Sequence, residues 1–237
     1  MNDQHLALRH PFPKIADEST LFYGGNQGKF EKRYVQQGGC GLVGAANLIY
    51  YLAAQGICGR RADLPAQMQP ECVVPLDAFN RSCEHLRRRF LPVLPRLGMN
   101  GFSLVLGLNL YFLRYGLPYR AFWGIRGKKL WKRAAEMLRQ DLPVIFSVGP
   151  NFPKLWGKEK VTFYQRLPDG SYRPAAATLA HYVTITALDE DYAKISSWGR
   201  EYYVSRREYE DYVHRHSAYL VSNVAVIRKK KQKAPRA

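Results

Sequence analysis

The stretch from Gly38 to Ala53 constrains this chain more than any other. Gly38-Gly39-Cys40-Gly41 is a turn-forming run, and Leu42-Val43-Gly44-Ala45-Ala46-Asn47-Leu48-Ile49-Tyr50-Tyr51-Leu52-Ala53 follows it. Apolar residues at 42, 45, 46, 49, 52 and 53 recur at helical spacing and predict a helix over 41–55 with a face to bury. Gly56 is placed to end that helix in a left-handed conformation. Cys40 then stands at the helix N-terminus. Unpaired amides and the positive end of the dipole there favour a thiolate and predict a lowered thiol pKa. Such a nucleophile needs a base, and His181 is the downstream candidate.

The rest of the chain divides by pattern. Residues 1–20 read as an irregular arm, because His10-Pro11-Phe12-Pro13 cannot continue a helix. Gly24-Gly25-Asn26-Gln27-Gly28 is a loop, and residues 56–76, punctuated by Pro65, Pro70 and Pro75, are another. Helices are predicted from Leu76 to Phe90, from Leu104 to Leu113 and from Lys128 to Arg139. A short strand is placed at Pro118–Trp123. From Pro143 onward β-formers take over, with strands at 143–148, 160–167, 181–188, 192–198, 202–204 and 218–227. Ser205 can cap a helix over 206–214, with Glu208 at the capping-box position. Helices in about 30–140 and antiparallel strands in about 141–227 make an α+β pattern within one domain, 1–227. Residues 228–237 form a basic tail that is expected to be disordered.

Charge and cysteine usage bound the partners. The net charge is +17, and the last ten residues supply six basic groups and no acid. Residues 114–139 hold eight Lys/Arg against the single acid Glu136. This balance suits acidic partners: an acidic peptide or protein, an anionic membrane surface, or nucleic acid, the last not favoured because no nucleic-acid motif accompanies it. A generally basic, solvated surface is the plain alternative. No run of about 18 apolar residues predicts a membrane span, and the N-terminus lacks a signal-peptide pattern. Cys40, Cys58, Cys72 and Cys83 have no metal-type spacing and read as reduced thiols in a cytoplasm. No metal or organic cofactor is called for. His5, His10, His85, His214 and His216 read as ordinary surface or core histidines.

Three local features together resemble the papain-like cysteine peptidase superfamily. Gln36/Gln37 before Gly38-Gly39-Cys40-Gly41 and an apolar helix resembles the family's glutamine, cysteine and central helix. Ala180-His181-Tyr182-Val183 resembles its histidine strand. Ser196-Ser197-Trp198-Gly199, fifteen residues after His181, resembles the Asn-Ser-Trp-Gly segment that carries the residue orienting the histidine. The layout is also similar to the bacteriocin-leader-processing branch and its bacterial relatives. The matched segments cover 36–55 and 180–204. The resemblance implies a papain-like fold and a thiol hydrolase, either a peptidase or an amide or acyl transferase, acting on a peptide or protein. Cys40 is then nucleophile, His181 general base, Gln36 or Gln37 oxyanion donor (Gln36 favoured), and Ser196 the third member. Gly39 and Gly41 flank the nucleophile, and Trp198 roofs the imidazole. Two departures accompany the resemblance. The glutamines sit four and three residues before the cysteine rather than five or six, and Ser196 replaces Asn or Asp. A serine stabilises an imidazolium less well. The alternative is therefore a catalytically silent papain-like fold that binds an acidic protein or nucleic acid through its basic surface.

Overall fold

The computed structural model describes residues 5–57, 71–125 and 127–230. Cys58, Pro65, Pro70 and the tail beyond Lys230 lie outside them. A short helix α1 (Arg33–Gly38) runs through Gly39 into α2 (Cys40–Ala54). Every residue of α2 from Cys40 to Leu52 is buried. A helix so apolar on all sides has to sit inside the molecule rather than on it. The helices α3 (Leu76–Arg89), α4 (Gly101–Arg114), α5 (Leu130–Arg139) and α6 (Arg206–His216) surround the centre. Asn100 caps α4 by accepting from the Ser103 amide, and Ser205 caps α6 by accepting from the Glu208 amide. The Glu208 carboxylate does not close the capping box; it accepts from the Tyr164 hydroxyl at 2.7 and 2.8 Å.

The strands are β1 (Leu6–Ala7), β2 (Lys14–Asp17), β3 (Thr20–Tyr23), β4 (Val73–Pro75), β5 (Tyr119–Trp123) and β6 (Val144–Val148). They continue as β7 (Val161–Arg166), β8 (Tyr172–Thr178), β9 (His181–Leu188), β10 (Tyr192–Ser197), β11 (Arg200–Ser205) and β12 (Val224–Lys229). A large sheet runs in the order β5-β12-β6-β9-β10-β11-β7-β8, with β1 also pairing β9. Every pairing in it is antiparallel. A small sheet, β3-β2-β4, lies apart.

Neighbouring residues on a strand face opposite ways, so β6 shows how the layers stack. Ile145 faces Gly44 of α2, where an added Cβ would come within 3.2 Å of its side chain. Phe146 faces the other way, toward Trp131 of α5 and Tyr209 of α6. The sheet is thus sandwiched between α2 on one face and α5 with α6 on the other. β9 is buried along its whole length, as a central strand covered on both faces must be. One apolar core runs through both halves of the chain.

The α+β class holds, with six α-helices and a mostly antiparallel β-structure among the described residues. The division into helical and sheet halves is looser than the sequence pattern suggests. β5 joins the large sheet through β12 with Ala225 opposite Trp123, and the arm read as irregular contributes β1 and β2, with β3 starting at its end. Strands of two to four residues are too short to show a period, and β1 pairs with β9 and β2 with β4 far along the chain. α1 and β8 were also not visible in the pattern. β8 carries Pro174 and three alanines, so it offers little alternation. Among the described residues no helix is long and apolar enough to cross a membrane.

Candidate functional site

Cys40 opens α2 and His181 opens β9. The small residues of α2 let both line one cavity. Gly41 lies against the Tyr182 ring, where an added Cβ would stand 3.3 Å from Cδ2. The helix therefore rests its first turn directly on the beginning of β9. Cys40 and His181 line one cavity of about 10 Å³ with Gln27, Asn47, Thr184 and Ser197 among its other walls, room for roughly one water. Cys40 is 9% exposed and His181 6%. A much larger cavity, about 700 Å³, lies beside Phe30, Val35 and Leu42 and contains neither residue. Leu42 is some 200° around α2 from Cys40.

The His181 ring is held from two sides. Its Nε2 lies 2.8 Å from the Ser197 hydroxyl. Trp198 stacks on it with centroids 4.6 Å apart and planes 16° from parallel. The residues that place these groups occupy left-handed backbone, with Ala180 at φ 59° and Trp198 at φ 51°. A non-glycine residue there costs on the order of 1 kcal/mol, and such positions gather at functional sites.

Ser196, the expected third member, does not meet His181. Its hydroxyl donates to the Tyr23 carbonyl at 2.7 Å, and Ser197 takes the position beside the imidazole. The register of β10 shifts against β9 between Lys194 and Ile195, so that Ile195 pairs with Ile185 while Lys194 pairs with Ala187. One such irregularity changes which serine faces the ring, and spacing along the sequence does not reveal it.

The expected oxyanion glutamines are displaced too. Gln36 donates its amide to the Phe30 carbonyl at 2.6 Å, which fixes α1 against the preceding loop. Gln37 is exposed and takes no part in the cavity wall. The amide that does line the cavity belongs to Gln27, thirteen positions before Cys40. Gln27 Nε2 donates to the Gln36 carbonyl at 2.9 Å, which leaves its second N–H. An amide side chain within a glycine-rich loop was the available signal. Gly39 and Gly41 are packing positions: a Cβ on Gly39 would stand 2.5 Å from the Val35 carbonyl oxygen.

The loop carrying Gln27 is fastened over the pair. Gly25 donates its amide to Asn47 Oδ1 at 3.0 Å, and Asn47 is buried in the middle of α2. Gly24 has φ 76°, and a Cβ there would come within 2.4 Å of Ser196 Oγ. Only glycine tolerates both that dihedral and that approach.

Burial decides the charge states. It pushes the Cys40 thiol up from its ordinary value, although the amides of Tyr182, Gly41 and Cys40 itself pull the other way. The helix-terminus effect anticipated from sequence is present, and desolvation exceeds it. Burial likewise lowers His181 to about 4. The resting pair is a neutral thiol beside a neutral imidazole, and no hydrogen bond joins sulfur to ring among the described residues. Thr184 Oγ1, on the cavity wall, also has no hydrogen-bond partner there. Buried hydroxyls are seldom left so.

Cys72 and Cys83 are free and buried, and burial raises both thiols. No group of three or more His, Cys, Asp or Glu able to hold a metal occurs among the described residues. No family model, no curated protein and no solved structure matches this chain.

Proposed function

We propose that this chain is a papain-like thiol hydrolase or acyl transferase acting on peptide or protein amides through an acyl-Cys40 intermediate. The observation that carries the reading is the convergence of Cys40, at a helix N-terminus, and His181, at a strand start 141 residues later, on one cavity, with Ser197 on the imidazole Nε2. For His181 to act as base its Nε2–H donates to Ser197 Oγ, which leaves Nδ1 free to take the thiol proton. Sulfur then attacks the substrate carbonyl carbon. The developing oxyanion is met by the Cys40 amide and Gln27. The C–N bond breaks, and the leaving amine takes the proton from His181. Water or a second amine attacks the thioester and regenerates the thiol. A neutral resting pair fits proton transfer concerted with attack. Opening requires the loop of Gln27 to move, since the pair is enclosed. The basic surface favours acidic peptides, in a cytoplasmic setting.

The enclosure and the absence of a Cys40–His181 hydrogen bond also favour the second reading, a silent fold that binds an acidic partner. The two separate on thiol chemistry. The full chain is treated with a panel of peptidyl vinyl sulfones, and adducts are located by mass spectrometry. The hydrolase reading expects modification at Cys40 ahead of Cys72 and Cys83, with about a hundredfold slower reaction in His181→Ala. Reaction at Cys40 no faster than at the other two thiols, or indifferent to His181→Ala, leaves the binding reading.

A further inference from the structure

The flank formed by α4 and β5 carries an exposed apolar stripe. Phe102, Leu106, Leu110 and Leu113 lie along one side of α4 and are all exposed, Leu106 at 61% and Leu113 at 71%. Their spacing of four, four and three places them in one stripe. They are not the residues that hold α4 in place: Leu104, Leu108, Tyr111 and Phe112 do that from the opposite side. Next to the stripe Asn109 reaches the edge strand β5. It donates to the Ala121 carbonyl at 2.8 Å and accepts from the Ala121 amide at 2.9 Å. The edge is thereby closed to strand addition. The exposed Leu220 flanks the start of α4, where the Trp123 indole lies under Gly101 and donates to the Leu220 carbonyl, while the exposed Phe122 stands on the other face of β5.

The rim of this patch is cationic. Residues 85–135 contain eleven Lys/Arg and no carboxylate. Arg96, Arg114 and Arg120 are exposed and form no ion pair among the described residues. Around the edge of β5, on the sheet face turned away from α4, Arg120 rests over the Phe122 ring and stands across from Arg228 on β12, a like-charge pairing that is unfavourable unless an anion lies between. β12 ends at this same rim, with the Lys230 amide donating to the Pro118 carbonyl. The sequence that follows adds Lys231, Lys233 and Arg236.

We propose that this face docks on an anionic lipid surface, the α4 stripe entering the acyl boundary and the rim cations meeting lipid phosphates. An apolar helix side bordered by cations that form no ion pair is the combination such a surface selects. Charge complementarity sets the choice of occupant. A second copy would set Arg96, Arg114, Arg120 and Arg228 against their own kind. A nucleic acid would satisfy the rim and leave Leu106, Leu110 and Leu113 in water.

Flotation of the full chain with vesicles tests this, using phosphatidylcholine alone and phosphatidylcholine containing about one-third phosphatidylglycerol at near-physiological salt. The expected result is binding to the mixed vesicles only. It weakens about tenfold in Leu106→Glu/Leu113→Glu and about tenfold in Arg114→Glu/Arg120→Glu. These side chains are exposed, so the variants keep the melting temperature of the unchanged chain. Should the glutamates lower it, Leu106→Gln/Leu113→Gln carries the same comparison. Cys40→Ala binds vesicles normally, which keeps this result independent of the thiol chemistry. No binding, equal binding to both vesicle types, or binding that survives Leu106→Glu/Leu113→Glu overturns the proposal. So does a stable dimer, or a duplex-DNA complex, that the leucine variant abolishes while vesicles stay unbound.

Discussion

The two ends of α2 both carry buried titratable groups, and they solve burial in opposite ways. At the C-terminal end Asp141 is buried, yet its carboxylate is fully engaged. It accepts from the Arg9 amide at 2.7 Å and the Tyr51 hydroxyl at 2.5 Å, and it pairs with His10 Nδ1. Gln55 Nε2 lies 3.4 Å away. Burial pushes this carboxyl up, but the hydrogen bonds from Tyr51, Arg9 and His10 together hold it below its ordinary value. At the N-terminal end Cys40 and His181 have few partners, and burial drives both to their neutral forms. A buried group with every hydrogen bond made is architecture, because any change leaves a neighbour unsatisfied. The buried thiol and imidazole keep hydrogen-bonding capacity to spare beside an unpartnered Thr184, which is what the proposed reaction needs. The N-terminal arm ties both ends down, with Arg9 and His10 at one and Tyr23 to Gln27 at the other.

Removing Asp141 probes the contrast most strongly. Asp141→Ala strands the buried Tyr51 hydroxyl and releases the arm, so urea unfolding is expected to lose about 3 kcal/mol. Cys40→Ala removes only a small buried sulfur and should cost about 1 kcal/mol. Equal losses at the two positions would erase the distinction between a fully bonded end and one with hydrogen-bonding capacity to spare.

The ends also separate by pH. A group whose folded pKa is depressed stabilises the fold above its unfolded value and loses that contribution as pH falls through the folded value. For His181 the window runs from about 6.5 down to about 4. Stability should fall by about 2 kcal/mol between pH 7 and pH 5 from this residue. Asp141, lowered from the ordinary carboxylate range, keeps its contribution there and loses it only below about pH 4. Urea titrations across pH 5–7 should therefore flatten in His181→Gln. A slope unchanged by that substitution means that the imidazole is not buried as neutral base.

The smallest effect distinguishes two neighbouring serines. Ser197→Ala removes the group on His181 Nε2 and is expected to slow vinyl sulfone modification of Cys40 about tenfold with little change in stability. Ser196→Ala removes the donor to the Tyr23 carbonyl and should do the reverse, costing about 1 kcal/mol while leaving the rate within about twofold. The opposite outcome would restore Ser196 to the position that the Ser-Ser-Trp-Gly motif assigns it.

Sequence alone determined what periodicity and local chemistry can carry. The buried helix after Gly39, the Ser205 cap, the long strands at 144–148 and 181–188 and the α+β class all depend on patterns within about fifteen residues. The choice of Cys40 and His181 as the pair to bring together came from motif and order, and the fold places both on one cavity. Tertiary structure decided the rest. Ser197 rather than Ser196 faces the ring because of a register shift between β9 and β10. Gln27 rather than Gln36 lines the cavity because a distant loop folds back over α2 and is pinned by Asn47. The thiol is raised rather than lowered because the strand, the helix and that loop together exclude water. Desolvation belongs to the assembled fold, and no local pattern encodes it.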